Sequence, residues 1–87
     1  MKFEWDNDKA MTNLRKHGIR FADVIGIFDD PNAIVMEDPD HAEDRYVAIG
    51  IDGFGRLLVV VYTYRGDKIR LISARKATRN EHKRYGV

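Results

Sequence analysis

No cysteine occurs in the 87 residues of this chain, which excludes disulfide staples and thiolate metal sites. A chain without such staples is expected to be held by its core alone, or by a partner. Histidine is nearly as scarce. His17, His41 and His82 lie far apart without the spacing of metal ligands, so no metal site and no cofactor are expected. Ser73 is the only serine and has no neighbouring base pattern, which argues against a nucleophilic triad. Gly53-Phe54-Gly55 stands between two strand-like runs, the wrong context for a nucleotide-binding loop. No 18-residue apolar run is present, so no membrane span is expected. The first ten residues mix acids with aromatics where a signal peptide needs an apolar stretch. The expected location is the cytoplasm, a reducing compartment.

What is present fits one small globular domain spanning residues 1–87. Apolar residues make up 44% and charged residues 33%, a balance that argues against disorder. A chain of this length buries only roughly 60–65% of the surface its unfolded form exposes, so its stability margin is thin. The net charge of +1 hides an asymmetry between halves. Residues 1–44 carry five Lys and Arg against eleven Asp and Glu, whereas residues 45–87 carry ten against three. Such a split suits a nucleic-acid surface or an acidic partner, or mutual attraction of the two halves within one fold.

Along the chain, residues 3–5 read as a short strand or extended segment. Asp6 is placed to cap a helix over residues 7–17, with Ala10, Met11 and Leu14 facing the core and Gly18 ending it. Phe21, Val24, Ile25 and Phe28 follow at i, i+3, i+4 and i+7, which predicts a second amphipathic helix closed by Asp29-Asp30-Pro31-Asn32. Strands are expected over residues 33–37, 45–51, 56–64 and 68–74, with Asp52-Gly53-Phe54-Gly55 as a hairpin turn. Residues 56–64 are apolar on both faces, the mark of a central strand. Residues 75–85 have good helix formers and five basic residues. The expected fold class is α+β: two N-terminal helices, an antiparallel meander of about four strands, and a short basic C-terminal helix.

Candidate chemistry lies in the arginines and tyrosines on and after the sheet: Arg45, Arg56, Arg65, Arg70, Arg75 and Arg79, with Tyr46, Tyr62, Tyr64 and Tyr85. A guanidinium matches a phosphodiester bidentately and can stabilise the dianionic state reached when a ribose 2′-hydroxyl attacks phosphorus. Aromatic rings offer stacking platforms to unpaired bases. Each residue alone also has an ordinary role, arginine as a solvated strand side chain and tyrosine as a sheet-packing residue.

Several segments together resemble the BrnT toxin family. They are Phe3-Glu4-Trp5-Asp6, Lys9, Asn13, Lys16-His17-Gly18, Phe21 and Phe28-Asp29-Asp30-Pro31 in the first half. The second half adds Arg45-Tyr46, Gly50, residues 56–63, residues 69–77, Glu81 and Tyr85. The resemblance implies a RelE-like ribonuclease of a type II toxin–antitoxin pair that cuts RNA without a metal, the 2′-hydroxyl being the nucleophile. It implies inhibition of translation and growth, and neutralisation by a ribbon-helix-helix antitoxin of the BrnA kind. The free chain would be a monomer or weak dimer and would form a hetero-oligomer with its antitoxin.

Carried onto this sequence, Arg70 and Arg75 are the expected phosphate and transition-state ligands. Lys16 and His17 are expected to supply charge or transfer a proton; His17 would otherwise cap the first helix. Glu81 would orient an arginine or act as general base. Arg45, Tyr64 and Arg79 are expected RNA contacts, and Trp5 is expected in the core. The acidic stretch 38–44 and the basic terminal helix are candidate antitoxin surfaces. A non-catalytic RNA- or protein-binding module of the same fold is the alternative, separated by whether an acid or base stands beside Arg70 and Arg75.

Overall fold

The structure, a computed structural model, describes residues 1–40 and 44–87. The central part of the acidic stretch, with His41, lies outside the described residues. A single five-stranded sheet runs in the order β1-β5-β4-β3-β2, with β1 at Lys2–Glu4, β2 at Ile34–Glu37, β3 at Arg45–Ile51, β4 at Leu57–Arg65 and β5 at Lys68–Lys76. The helices are α1, Asn7–His17, and α2, Arg79–Tyr85. Strands β2 to β5 form the expected antiparallel meander, and β1 adds a fifth strand by pairing parallel to β5. The apolar run predicted as a central strand is β4, third of the five.

Helix α1 starts and stops as its end residues dictate. Asp6 accepts hydrogen bonds from the N–H groups of Asp8 (2.8 Å) and Lys9 (3.1 Å), and Gly18 ends the helix at φ 71°. Its core side differs from the expected one. Met11 is exposed, Ala10 and Leu14 are half-buried, and the buried residue is Asn13.

The second predicted helix is two short 3₁₀ turns, Phe21–Asp23 and Ile25–Asp29. The hydrogen bonds span three residues: Val24 N–H to Phe21, Ile27 to Val24, Asp30 to Ile27. The buried side chains, Phe21, Val24 and Ile27, accordingly recur every three positions, the period of a 3₁₀ helix. The reason is tertiary. A Cβ on Gly26 would come 2.7 Å from the backbone nitrogen of Gly53, so this segment lies against the β3–β4 turn too closely for a full α-helix.

Phe21, Val24, Ile27, Leu58, Val60, Tyr62, Ile69, Leu71 and Ala74 belong to the main core between the sheet and this helical layer. A smaller cluster of Ile49, Leu57 and Val59 lies on the other sheet face, packed by Tyr85 of α2. Tyr85 anchors α2 by donating its hydroxyl to Asp30 (2.5 Å). Among the described residues, no helix is long and apolar enough to cross a membrane.

Strand β1 pairs with β5 only at Lys68, Ile69 and Arg70, so among the described residues the outer edge of β5 has no strand partner beyond them. Asn13 serves that edge. Its Oδ1 accepts from Ala74 N–H (3.0 Å), while its Nδ2 donates to the carbonyls of Ala74 (2.9 Å) and Ile19 (3.0 Å). Replacing Asn13 by Ala strands these buried groups and should cost about 2–4 kcal/mol in urea unfolding. A loss below about 1 kcal/mol would show that water satisfies the edge equally well.

Candidate active site on the open sheet face

The two central arginines reach one face by an irregularity in β5. Val61 pairs with Ser73 whereas Tyr62 pairs with Leu71, so Ile72 is an extra residue, a β-bulge. Side chains alternate along a strand, and two residues five apart would ordinarily point to opposite faces. The bulge resets the alternation. Arg70 is opposite Thr63 and Arg75 opposite Val59, and both partners lie on the same side of β4. The two arginines therefore share a face, roughly 13 Å apart by the rise of four strand residues.

Helix α2 covers one end of that face and leaves the other open. Arg75, which the sequence suggested as the start of the terminal helix, is on β5, and the helix begins four residues later at Arg79. Thr78 and Glu81 cap it reciprocally, the Thr78 hydroxyl accepting from Glu81 N–H and the Glu81 carboxylate from Thr78 N–H. The same carboxylate receives Arg75 bidentately, Nη1 to Oε1 at 2.7 Å and Nη2 to Oε2 at 2.9 Å. These guanidinium bonds, aided by the Thr78 amide, hold the Glu81 carboxyl at about 2 and raise the already high Arg75. Of its two expected roles, Glu81 is thus built for orienting Arg75 and is a poor proton acceptor.

At the open end Arg70 meets an acid that sequence reasoning did not single out. Glu4, its register partner on β1, accepts from Arg70 Nη1 at 2.5 Å. Arg65 Nη1 is 3.7 Å from Glu4 Oε2, and Lys68 Nζ is 3.9 Å from Oε1. Arg45, opposite Thr63 on β3, lies on the same face. Only the pairing of the first strand with the last, 66 residues apart, brings Glu4 here, and no local pattern announces it.

Lys16 and His17 end α1 at the edge of β5, lining a shallow groove with Thr12, Asn13, Ile72 and Ser73. They thus border the strand between Arg70 and Arg75. Tyr64 is not brought to the arginines: it is exposed on the opposite face, edge-on to Tyr46 and Tyr62 with ring centroids 5.5 and 5.9 Å away. Burial, with Tyr64 and Tyr46 adding to it, pushes the Tyr62 hydroxyl up to about 12. Arg79 is exposed at the start of α2. Trp5 is half-buried and meets Phe21 edge-on at 6.1 Å, in keeping with a core role. Among the described residues, no group of three His, Asp or Glu side chains is placed to hold a metal ion.

This α+β fold, with its open arginine-bearing sheet face, is similar to a solved structure of the Brucella abortus ribonuclease toxin BrnT. The TM-score is 0.76 at 34% sequence identity, over 91% of this chain and 99% of that one. Among curated protein sequences no match is found. The family model described as ribonuclease toxin, BrnT, of type II toxin–antitoxin system matches residues 5–81. The chain belongs to the BrnT family of ribonuclease toxins.

The Arg75–Glu81 pair has a pH signature. The carboxyl of Glu81 is depressed from an ordinary 4.5 to about 2, so its contribution is complete above about 4.5 and disappears as pH falls through about 2. Glu81→Gln should unfold at lower urea than the parent at neutral pH, by about 1–2 kcal/mol. That gap should narrow steadily on acidification below about 4.5. A gap independent of pH would mean that the helix cap, not the ion pair, carries the effect.

Proposed function

We propose that this chain is a cytoplasmic toxin that cleaves RNA without a metal ion, by attack of a ribose 2′-hydroxyl on the adjacent phosphate. The observation that carries the proposal is the convergence of Arg45, Arg65, Lys68, Arg70 and Arg75 on one sheet face, left open where α2 does not cover it. A face with several cations binds the phosphate backbone regardless of sequence. On it, Arg70 is the ligand for the transition-state charge, since Glu4 occupies only its Nη1 among the described residues. Arg75, gripped by Glu81, is a fixed post for a second phosphate. Lys16 and His17, at the strand edge, contact the chain between them in this reading and supply charge or transfer a proton there.

Cleavage of RNA inhibits translation and growth, and a cognate antitoxin, of the ribbon-helix-helix kind, silences the toxin by covering the same face. RNA and acidic antitoxin side chains then exclude one another. Such a complex also stabilises a thin-cored domain by mass action. The free chain is a monomer or weak dimer in this reading.

The test is cleavage of RNA by the purified chain in excess EDTA, beside Arg70→Ala and Arg75→Ala proteins of verified fold. Cleavage should survive EDTA and leave 2′,3′-cyclic phosphate ends. It should fall by about 10²-fold or more in Arg70→Ala, and less in Arg75→Ala. A well-folded chain that cuts neither free nor ribosome-bound RNA would instead be an RNA- or protein-binding module of the same fold.

A further inference from the structure

The open face carries two arginine–glutamate pairs, and they differ in what they leave unoccupied. In the Arg75–Glu81 pair, Oε1 accepts from Arg75 Nη1 and from Thr78 N–H (2.8 Å), and Oε2 accepts from Arg75 Nη2. Both oxygens are engaged, and the acid is the weaker base for it. In the Glu4–Arg70 pair a single bond joins Oε2 to Nη1. Lys68 stands 3.9 Å from Oε1, beyond hydrogen-bond range. Among the described residues nothing bonds to Oε1, nor to Nη2 or Nε of Arg70. A one-handed pair of this kind can hold a phosphate with the free guanidinium edge while the free carboxylate oxygen faces the neighbouring hydroxyl.

We propose that Glu4 is the proton acceptor of the cleavage reaction, an assignment that rests on the ribonuclease reading above. Glu4 Oε1 takes the proton of the ribose 2′-hydroxyl as the 2′-oxygen forms its bond to the adjacent phosphorus. The unused N–H groups of Arg70 bind the non-bridging oxygens as their charge grows. The bond from phosphorus to the 5′-oxygen breaks, and its electron pair leaves on that oxygen, which takes a proton from water. The products are a 2′,3′-cyclic phosphate and a 5′-hydroxyl, and Glu4 returns its proton to the resulting hydroxide. Arg65 from β4, with Lys68 and Arg70 from β5, faces the carboxylate. Asp6, at the start of α1, acts electrostatically on Arg70. Lys2 is paired with Asp67, 3.7 Å away.

The experiment measures kcat and KM on an RNA oligonucleotide in EDTA against pH, for the parent, Glu4→Gln and Glu4→Asp. Glu4→Gln should lose about 10²–10³ in kcat. Its KM should be unchanged or lower, because a negative charge beside the phosphate site is gone. The parent's kcat should fall in acid as the acceptor protonates, and that limb should vanish in Glu4→Gln. Glu81 stays ionised until pH falls to about 2, so it does not account for a limb above that value. Glu4→Asp keeps the charge and should keep the limb at reduced kcat, which covers the case of a glutamine variant that does not fold. Parental kcat in Glu4→Gln, or a loss expressed only in KM with the acid limb intact, would overturn the assignment. A parent chain that cuts no RNA would overturn the ribonuclease reading itself, and Glu4 with it.

Discussion

The carboxamide of Asn13 is the contact on which the arrangement of the site depends. β1 is too short to pair with the whole outer edge of β5, and the backbone of Ala74 would otherwise end in an unserved edge beside the core. One side chain supplies both donor and acceptor there and also ties in the carbonyl of Ile19. This does more than satisfy hydrogen bonds. It fixes the last turn of α1 against the strand that carries both central arginines, which is why Lys16 and His17 border Ser73. A polar residue at the one buried position of an amphipathic helix is thus the joint between the helical layer and the strand that carries the arginines.

The sheet then divides its labour by side. One face, toward α1 and the 3₁₀ turns, is apolar and aromatic; Phe3, Phe28, Tyr62 and Tyr46 follow one another at ring separations of 5.0–5.7 Å. The other carries the smaller apolar cluster against which Tyr85 of α2 packs, and Arg45, Lys68 and Arg70 toward its open end. Exposed salt bridges contribute little to stability. What Glu4 and Glu81 do is restrict the rotamers of Arg70 and Arg75, so that part of the side-chain ordering a ligand would otherwise require is already done.

How much of this was readable in the sequence follows from how local each signal is. The caps of α1, the bounds of β3, the Asp52 turn and the central position of β4 depend on near neighbours in the chain, and they are where the sequence places them. The 3₁₀ turns were not readable, because Phe21, Val24, Ile25 and Phe28 satisfy an α-helical stripe. The close approach of Gly26 to Gly53 decides against it. Arg70 and Arg75 were legible as chemistry but not as geometry, since the bulge that aligns them leaves no mark in composition. Glu4 was invisible for a third reason. Its partners lie on strands that only the completed sheet brings to it.

The extra residue at Ile72 has a consequence for how such a protein can change over generations. Most strands tolerate drift in residue type so long as alternation persists. Here the count can change as well. Loss of one codon between Arg70 and Arg75 would let the bulge close into regular pairing and leave the two arginines four residues apart on the same face. Lineages descending from this sequence can therefore drop the extra residue, as well as vary what fills the stretch from Leu71 to Ala74 within the demands of packing, and keep both arginines on one face.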